Sequence, residues 1–475
     1  MRICMILEGS YPYVRGGVSS WMHSLILANP QHEYVLWVIG AKAEQRGNFK
    51  YDLPSNVAEV HEIFLDDALR LTADRKKPRF TQEQIQALHQ LVLCREPDWN
   101  VLFKLYNQQQ ANVLSFLKSE ALLDILLSIC EKDYPFMEFA DFFHSIRSMF
   151  LPILYLISSH VPKADIYHTT ATGYGGLLGA LGSWKYQKPL IVTEHGIYTR
   201  EREEELLRAK WVSPHFRQHW IDMFYMLSKC AYDSAVSVTA LFGRYSQIQG
   251  DLGAAQEKRS VIRNGIRLDR FAVIPPKVPN GYIDITAVVR LHPIKDIKTL
   301  IYAFYSLKQR IPNARLHILG DTDDPEYGKE CRALIGQLQL PDVLMPGNVD
   351  VTKYLEITDF TVLSSISEGQ PLSVLESLAA GRPAVTTDVG CCRDLIYGAD
   401  ADDHYGTAGI VVPPMHAQAL ANAMEAMATH AEMRQEMAVA GFKRVSQYYV
   451  HEDMVKKYND NYEKVVSQWQ VSVLN

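Results

Sequence analysis

Residues 364–387 read SSISEGQPLSVLESLAAGRPAVTT. Gly369 and Pro371 punctuate the start, and 373–380 then takes a helical pattern, with Leu372, Leu375, Leu378 and Ala379 at three- and four-residue spacing. Gly381-Arg382-Pro383 stops that helix, and 383–387 restarts as a strand. Glu368 therefore falls in a loop just before a helix N-terminus, and Glu376 lies about two turns inside. A helix start offers free backbone N–H groups and the positive end of the dipole, which makes it an anion site. A carboxylate beside such a site repels phosphate but accepts hydrogen bonds from hydroxyls. Phosphate together with polyol describes a sugar nucleotide. The plainer alternative is a capped surface helix with two solvated acids.

Composition narrows the surroundings of this stretch. A chain of 475 residues exceeds one ordinary core, so two domains are expected. At 47% hydrophobic and 21% charged it reads as a folded globular protein, and a net charge of −6 supplies no global field for nucleic acid or anionic lipid. The seven cysteines are scattered and form no CxxC, which points to reduced thiols in a cytoplasmic protein. Cys391-Cys392 reads as packing or loop residues. No secretory signal is expected, because the apolar run 3–7 ends at Glu8. The most apolar windows, 122–130 and 149–158, are short and interrupted by Asp124 and Pro152, so any membrane association is expected to run through partner proteins.

Residues 2–7 (RICMIL) have the continuous apolar character of a buried parallel strand. Gly16-Gly17 then precedes a helical pattern of Val18, Trp21, Met22, Leu25 and Ile26. Glycines there let a ligand approach the backbone, although an ordinary βα loop reads the same way. Strands follow at 34–39 and 58–64. From about 66 to 160 the strand rhythm gives way to amphipathic patterns at 82–93, 100–117, 122–130 and 139–157, a helical insertion that covers an acceptor or binds a partner. Strands resume at 165–170 and 190–196 (LIVTEHG). The second of these sets His195 at a strand C-terminus, where open α/β sheets place ligand groups and where a packing histidine also fits. The run 201–208 (EREEELLR) reads as a solvated helix face. A strand is expected at 235–239. Asn264-Gly265 marks a turn, and Pro275-Pro276, Pro279 and Asn280-Gly281 set a domain boundary near 276.

The second domain opens with a strand ending at Arg290 and a helix from about Asp296. Arg290 and Lys295 at such a strand–loop–helix junction form a diphosphate clamp, or are two surface cations. Asp321-Thr322-Asp323 spells DxD, but this short match in mid-domain is not read as a metal site. Helices are expected at 417–427, 431–445 and 452–469.

EGQPLSVLE at 368–376 resembles the E-x7-E signature of retaining glycosyltransferases of the GT-B fold, family 4. The resemblance implies two doubly wound Rossmann-like α/β domains facing a cleft. They are an acceptor-side domain at 1–276 carrying the insertion, a nucleotide-sugar-binding domain at 277–450, and a C-terminal helix at 451–475 that crosses back to the first domain. It assigns the donor sugar to Glu368, the ribose to Glu376, and the diphosphate to Arg290, Lys295 and the backbone of Gly369, Pro371, Leu372 and Ser373. Gly16 and Gly17 match the family's first-loop glycine pair near the donor phosphate, and His195 matches its strand-end histidine near the reacting carbon. Catalytic roles thus fall on Glu368, His195, Arg290 and Lys295. The donor implied is UDP-linked glucose or N-acetylhexosamine, with retention of configuration and no metal or other cofactor. The acceptor implied is a growing polysaccharide, with inner-membrane synthase proteins as partners. Cys391-Cys392, where relatives carry small residues, and Asp394, where Glu is usual, depart from the pattern. Two other readings fit less of it: a sugar-nucleotide epimerase, which the E-x7-E pair disfavours, and a catalytically weak nucleotide-binding scaffold subunit.

Overall fold

The structure, a computed structural model, describes residues 1–72, 79–108, 112–322 and 324–474. The chain divides into two compact units. One contains Met1–Ile262 and Lys457–Asn475, and the other Arg263–Lys456. Each is built on one parallel sheet.

The sheet of the first unit has β1 (Arg2–Glu8), β2 (Glu33–Gly40), β3 (Val57–Phe64), β4 (Ile166–Thr169), β5 (Leu190–Glu194), β6 (Ser237–Ala240) and β7 (Arg259–Val261) in the order β3-β2-β1-β4-β5-β6-β7. The apolar run 3–7 is fully buried, with Ile3 opposite both Tyr34 and Ile166, as a central strand covered on both faces requires. The order reverses between β1 and β4, so the loops that follow these two strands diverge and open a crevice at their C-terminal ends.

Between β3 and β4, among the described residues, stand the α-helices Gln82–Val92, Trp99–Asn107, Val113–Leu117, Glu120–Asp133 and Phe139–Ile157. Four of them start on a side-chain cap. Thr81 and Gln84 close a capping box, and Asp98, Asn112 and Ser119 each accept from a backbone N–H of the first turn. The amphipathic pattern at 100–117 contains the helices Trp99–Asn107 and Val113–Leu117, with 109–111 outside the described residues. These helices share one apolar core with the sheet and with the helices Tyr174–Tyr186 and Arg217–Ser234. Tyr134 stacks on Phe216 at 5.1 Å, and His219 Nε2 lies 2.8 Å from the carbonyl of Val92. The insertion is thus an integral wall of its unit. The helix His451–Leu474 supplies Tyr458, Tyr462 and Val465 to the same unit, the two tyrosines fully buried.

The sheet of the second unit has β8 (Ile283–Val288), β9 (Ala314–Leu319), β10 (Val343–Gly347), β11 (Phe360–Leu363), β12 (Ala384–Thr387) and β13 (Gly409–Val412) in the order β10-β9-β8-β11-β12-β13, reversing between β8 and β11. At its base Asp284, with no exposure, accepts hydrogen bonds from Lys277, Asn280, Arg315 and His317. The residues just before the proline cluster pack in this unit, which by its contacts runs from Arg263 to Lys456. Asn264 N donates to Gln370 Oε1 at 2.8 Å, Ile266 pairs with Val450, and Arg382 donates to the carbonyl of Pro275. Gly265 is more than a turn residue, because a Cβ there would lie 2.4 Å from the carbonyl oxygen of Val450. Prolines mark where the backbone cannot continue a regular element. They do not mark where side-chain packing changes partner.

Candidate active site

The reversal between β8 and β11 brings two βα loops side by side. The loop after β8 runs through Arg290 to the short turn Pro293–Lys295, and Asp296 at φ 48° caps the helix Ile297–Lys308 by accepting from Thr299 N. The loop after β11 carries Ser364 to Pro371. Backbone and side chains bind the two loops together. Ile366 N donates to the carbonyl of Ile294 at 2.8 Å, and Ser364 Oγ donates to the carbonyl of Lys295 at 2.8 Å. The result is a charged pair at the seam. Lys295 Nζ lies 2.6 Å from Glu368 Oε1, and Ser365 Oγ donates to the same oxygen at 2.6 Å. Arg290 is exposed on the first loop.

A third loop fixes the second. Cys391 N donates to the carbonyl of Gly369 at 3.0 Å. Gly390 adopts φ +54°, and a Cβ there would stand 2.1 Å from Gly369 O and 2.5 Å from Glu368 O. Only glycine lets these backbones approach so closely. Cys391 and Cys392 are both buried beside this contact, and burial raises both thiols. They pack; they do not present thiolates.

From Pro371, buried at the N-cap, the helix Leu372–Ala379 begins without a side-chain cap. Val374 N turns back to the carbonyl of Pro371 at 3.1 Å, and the N–H groups of Leu372 and Ser373 meet no side-chain cap, the state of an anion site. Leu375, Leu378 and Ala379 are buried as the spacing predicts. Val374 and Ser377 join them, while Leu372 and Ser373 are half-buried at the helix mouth. Glu376 is half-buried on this helix and receives no hydrogen bond from the described residues. Burial pushes its carboxyl up to about 7, against the opposing pull of Arg270. A half-buried acceptor with open lone pairs is suited to a pair of ligand hydroxyls.

In the first unit, Gly16 and Gly17 open the helix Gly17–Leu27 after β1, and a Cβ on either would meet nothing within 4 Å. Trp21 of that helix stands 4.4 Å from the His195 ring, centroid to centroid. His195 Nε2 is buried with no hydrogen-bond partner, and burial takes the imidazole down to about 4, so it is neutral at pH 7. Trp21 also meets Tyr458 at 5.4 Å, and His168 Nδ1 lies 2.8 Å from Tyr462 Oη, so the returning helix braces this wall.

The sequence reading passed over two carboxylates here. Glu8 ends β1 and accepts from Tyr198 Oη at 2.7 Å and from Gly175 N at 3.0 Å. Glu194 ends β5 with 1% exposure and accepts from Tyr232 Oη at 2.6 Å and from Gln249 Nε2 at 3.0 Å. Burial raises both carboxyls. The available signal was an acid terminating an apolar strand, in RICMILE and LIVTE. Such a residue sits at the ligand end of a parallel sheet.

Among the described residues no group of three or more His, Cys, Asp or Glu is arranged to hold a metal ion; Asp323 of the DxD match lies outside them. Among the same residues no helix is long and apolar enough to cross a membrane.

Comparison with known proteins agrees with this architecture. Residues 1–257 match the family described as Domain of unknown function (DUF3492), and residues 274–444 match Glycosyl transferases group 1. The chain is 32% identical over 185 residues to the putative colanic acid biosynthesis glycosyltransferase WcaL of Escherichia coli (strain K12), 37% of this chain and 43% of that protein. It is 24% identical over 240 residues to the MMP alpha-(1->4)-mannosyltransferase of Mycolicibacterium hassiacum, 47% of this chain and 57% of that one. The chain thus spans about half the length of these curated relatives. Among solved structures, HepE of Anabaena in complex with UDP superposes with a TM-score of 0.62 at 15% identity, covering 98% of this chain and 100% of that one. Sucrose-phosphate synthase of Thermosynechococcus elongatus gives 0.61 at 16%, covering 98% and 99%. These likenesses are of fold, and the fold is GT-B.

Proposed function

The chain belongs to the DUF3492 family and carries a glycosyl transferase group 1 domain, and from that premise we propose that it is a retaining glycosyltransferase that takes its sugar from a nucleotide donor. The observation that carries the reading is the Lys295–Glu368 pair at the strand-order reversal of the second sheet, beside an uncapped helix start whose helix bears the unpartnered Glu376. A cation, free N–H groups and two carboxylates are the complement of a diphosphate joined to two sugars.

As the sugar C1–O bond breaks, negative charge collects on the diphosphate leaving group. Lys295, Arg290 and the first-turn N–H groups of Leu372 and Ser373 stabilise that charge, and the backbone of Gly369 and Pro371 flanks the helix mouth. Glu376 accepts the ribose hydroxyls. Glu368 holds the Lys295 ammonium and accepts hydroxyls of the donor sugar. By the family resemblance Gly16 and Gly17 serve the donor phosphate, and His195, neutral, serves the sugar near its reacting carbon. No step calls for a metal, because two cationic side chains and a helix N-terminus supply the positive charge.

UDP is the favoured carrier, with glucose or an N-acetylhexosamine as the sugar. The structural neighbour HepE was crystallised with UDP and with UDP-glucose. WcaL supports a polysaccharide acceptor. Residues 5–26, MILEGSYPYVRGGVSSWMHSLI, are similar to the start of PelF, the glycosyltransferase of Pel exopolysaccharide synthesis. On that similarity the product is a Pel-like biofilm exopolysaccharide, made in the cytoplasm with inner-membrane Pel synthase proteins as partners.

Calorimetric titration in EDTA against UDP, GDP and ADP and their glucose and N-acetylhexosamine forms tests the reading. Selective UDP binding, weakened about tenfold or more by Glu376→Ala, is the expected result. Well-folded protein that binds no nucleotide overturns it.

A further inference from the structure

A second recess lies in the first unit, at the opposite end of the sheet from His195. A cavity of about 590 Å³ opens beside the starts of β5 and β6, between the insertion helix Trp99–Asn107 and the helices Tyr174–Tyr186 and Arg217–Ser234. Trp184 and Gln187 also line a neighbouring cavity of about 320 Å³, so the two are stretches of one groove. Both volumes are of the size that holds small ligands, and their succession suits a ligand that is a chain.

The groove's wall is aromatic and held in place. Trp99 stands 5.8 Å from Phe103, and Phe103 stands 5.7 Å from Trp184, ring to ring. Trp469 is fixed by Nε1 donating to the carbonyl of Gln187 at 2.9 Å. The polar part of the lining is mostly planar acceptors and amides. Across the two cavities Glu96, Asp98 and Asp233 match the cations Arg95, Lys185 and Lys229 in number, and Lys229 is paired with Asp233 at 3.0 Å, so the lining carries no excess positive charge. That balance disfavours a phosphate or any other anion. In the second cavity, Asn107 leaves Oδ1 without a partner. Flat apolar rings bordered by carboxylates and amides complement a pyranose, which has C–H faces and a rim of hydroxyls.

We propose that this groove is a carbohydrate-binding subsite that holds a stretch of neutral oligosaccharide chain apart from the donor site. The inference rests on the glycan-building function proposed above, and it gives the insertion a task. A growing product held here stays with the enzyme between additions.

The test uses the full chain, with cellotetraose, maltotetraose and chitotetraose as probes, followed by tryptophan fluorescence and calorimetry. At least one probe is expected to give a saturable response. Trp99→Ala should weaken it about tenfold. Asn100→Arg, at an exposed position on the rim, should block it and covers the case in which the tryptophan variant fails to fold. Neither Glu376→Ala nor saturating UDP should alter it. No saturable response to any of the three, a response indifferent to both groove variants, or one displaced by UDP overturns the proposal. Nucleotide binding on the same preparations separates the two readings. Protein that binds tetrasaccharide but no nucleotide keeps the groove and loses the donor site, and protein that binds UDP but no tetrasaccharide does the reverse.

Discussion

The Lys295 ammonium and the Glu368 carboxylate meet at 2.6 Å, one from the loop after β8 and the other from the loop after β11. Their side chains are 17% and 12% exposed, so the pair sits in a partly dehydrated seam where charge is effective. Lys295→Met removes a cation from the proposed leaving-group site and keeps the Ser365 hydrogen bond to Glu368. Turnover should fall by about 10²–10³, or ~2.7–4 kcal/mol of barrier. Glu368→Gln should cost a similar factor, and the double variant should cost less than the product of the two. Steady-state kinetics on the four proteins measures the coupling. Strictly multiplicative losses would mean that the pair does not act as a unit.

Glu376 titrates near pH 7 because it is buried. In the proposed role, ionisation strengthens the acceptor offered to ribose hydroxyls, so uridine nucleotide affinity should rise from pH 6 to pH 8, as the ionised fraction goes from about a tenth to about nine tenths. Stability runs the other way. The folded carboxyl holds its proton more tightly than the unfolded one, so the unliganded protein loses stability as pH climbs from about 4.5 through 7. Glu376→Gln should flatten both trends and stabilise the unliganded protein at pH 8 by about 1–3 kcal/mol. Titration calorimetry and thermal unfolding across this range check both signs.

Gly390→Ala puts a methyl group against the carbonyl oxygens of Glu368 and Gly369 at a backbone φ of +54°. The loop must shift, carrying Glu368 with it. A loss of about 1–3 kcal/mol in unfolding free energy should accompany a fall in turnover larger than the loss of folded protein explains. Differential scanning calorimetry alongside kinetics separates the two effects.

The fold was legible because it is written in periodicity. RICMIL, LIVTE and the alternation of strands with helices announce parallel sheets, and burial of Leu375, Leu378 and Ala379 followed from their spacing. At the candidate site the residue types were legible, but not their partners. Nothing local in 290–296 or 364–369 says that Lys295 closes on Glu368. That contact comes from the strand order β8-β11, which is a property of the sheet. Glu8 and Glu194 went unread for the same reason, since a strand-ending acid becomes informative only when its neighbours are known. The packing of 263–275 in the second unit was not legible, because the bonds between the Asn264 backbone and the Gln370 side chain and the pairing of Ile266 are long-range.

Turnover should persist in EDTA and show no dependence on added magnesium or manganese, since the proposed positive charge comes from Arg290, Lys295 and a helix start. Rates measured after chelation and after readdition of each ion decide this. A loss restored by one ion would require ligands beyond those named.

Asp284 is the anchor of the second sheet. Burial pushes its carboxyl up, but hydrogen bonds from His317, Arg315, Lys277 and Asn280 more than offset this and hold it far below the ordinary range. The stability it contributes is present above about pH 4 and is lost as acid reaches the folded group. Asp284→Ala should cost about 3 kcal/mol by removing the shared acceptor of Lys277, Asn280, Arg315 and His317, with Lys277 keeping its pair with Asp359, and should flatten the acid limb of the stability profile. Denaturant unfolding at pH 7 and pH 3 measures both.

The burial of Tyr458 and Tyr462 in the first unit has a consequence for biosynthesis. The ribosome makes Met1–Ile262 first, yet the helix that covers Trp21 and His168 emerges only after all of 263–456. At about 5–20 residues per second that interval is on the order of ten to forty seconds. Throughout it the nascent first unit carries an open apolar seam, a period of chaperone dependence that a circular permutant starting with the returning helix would abolish.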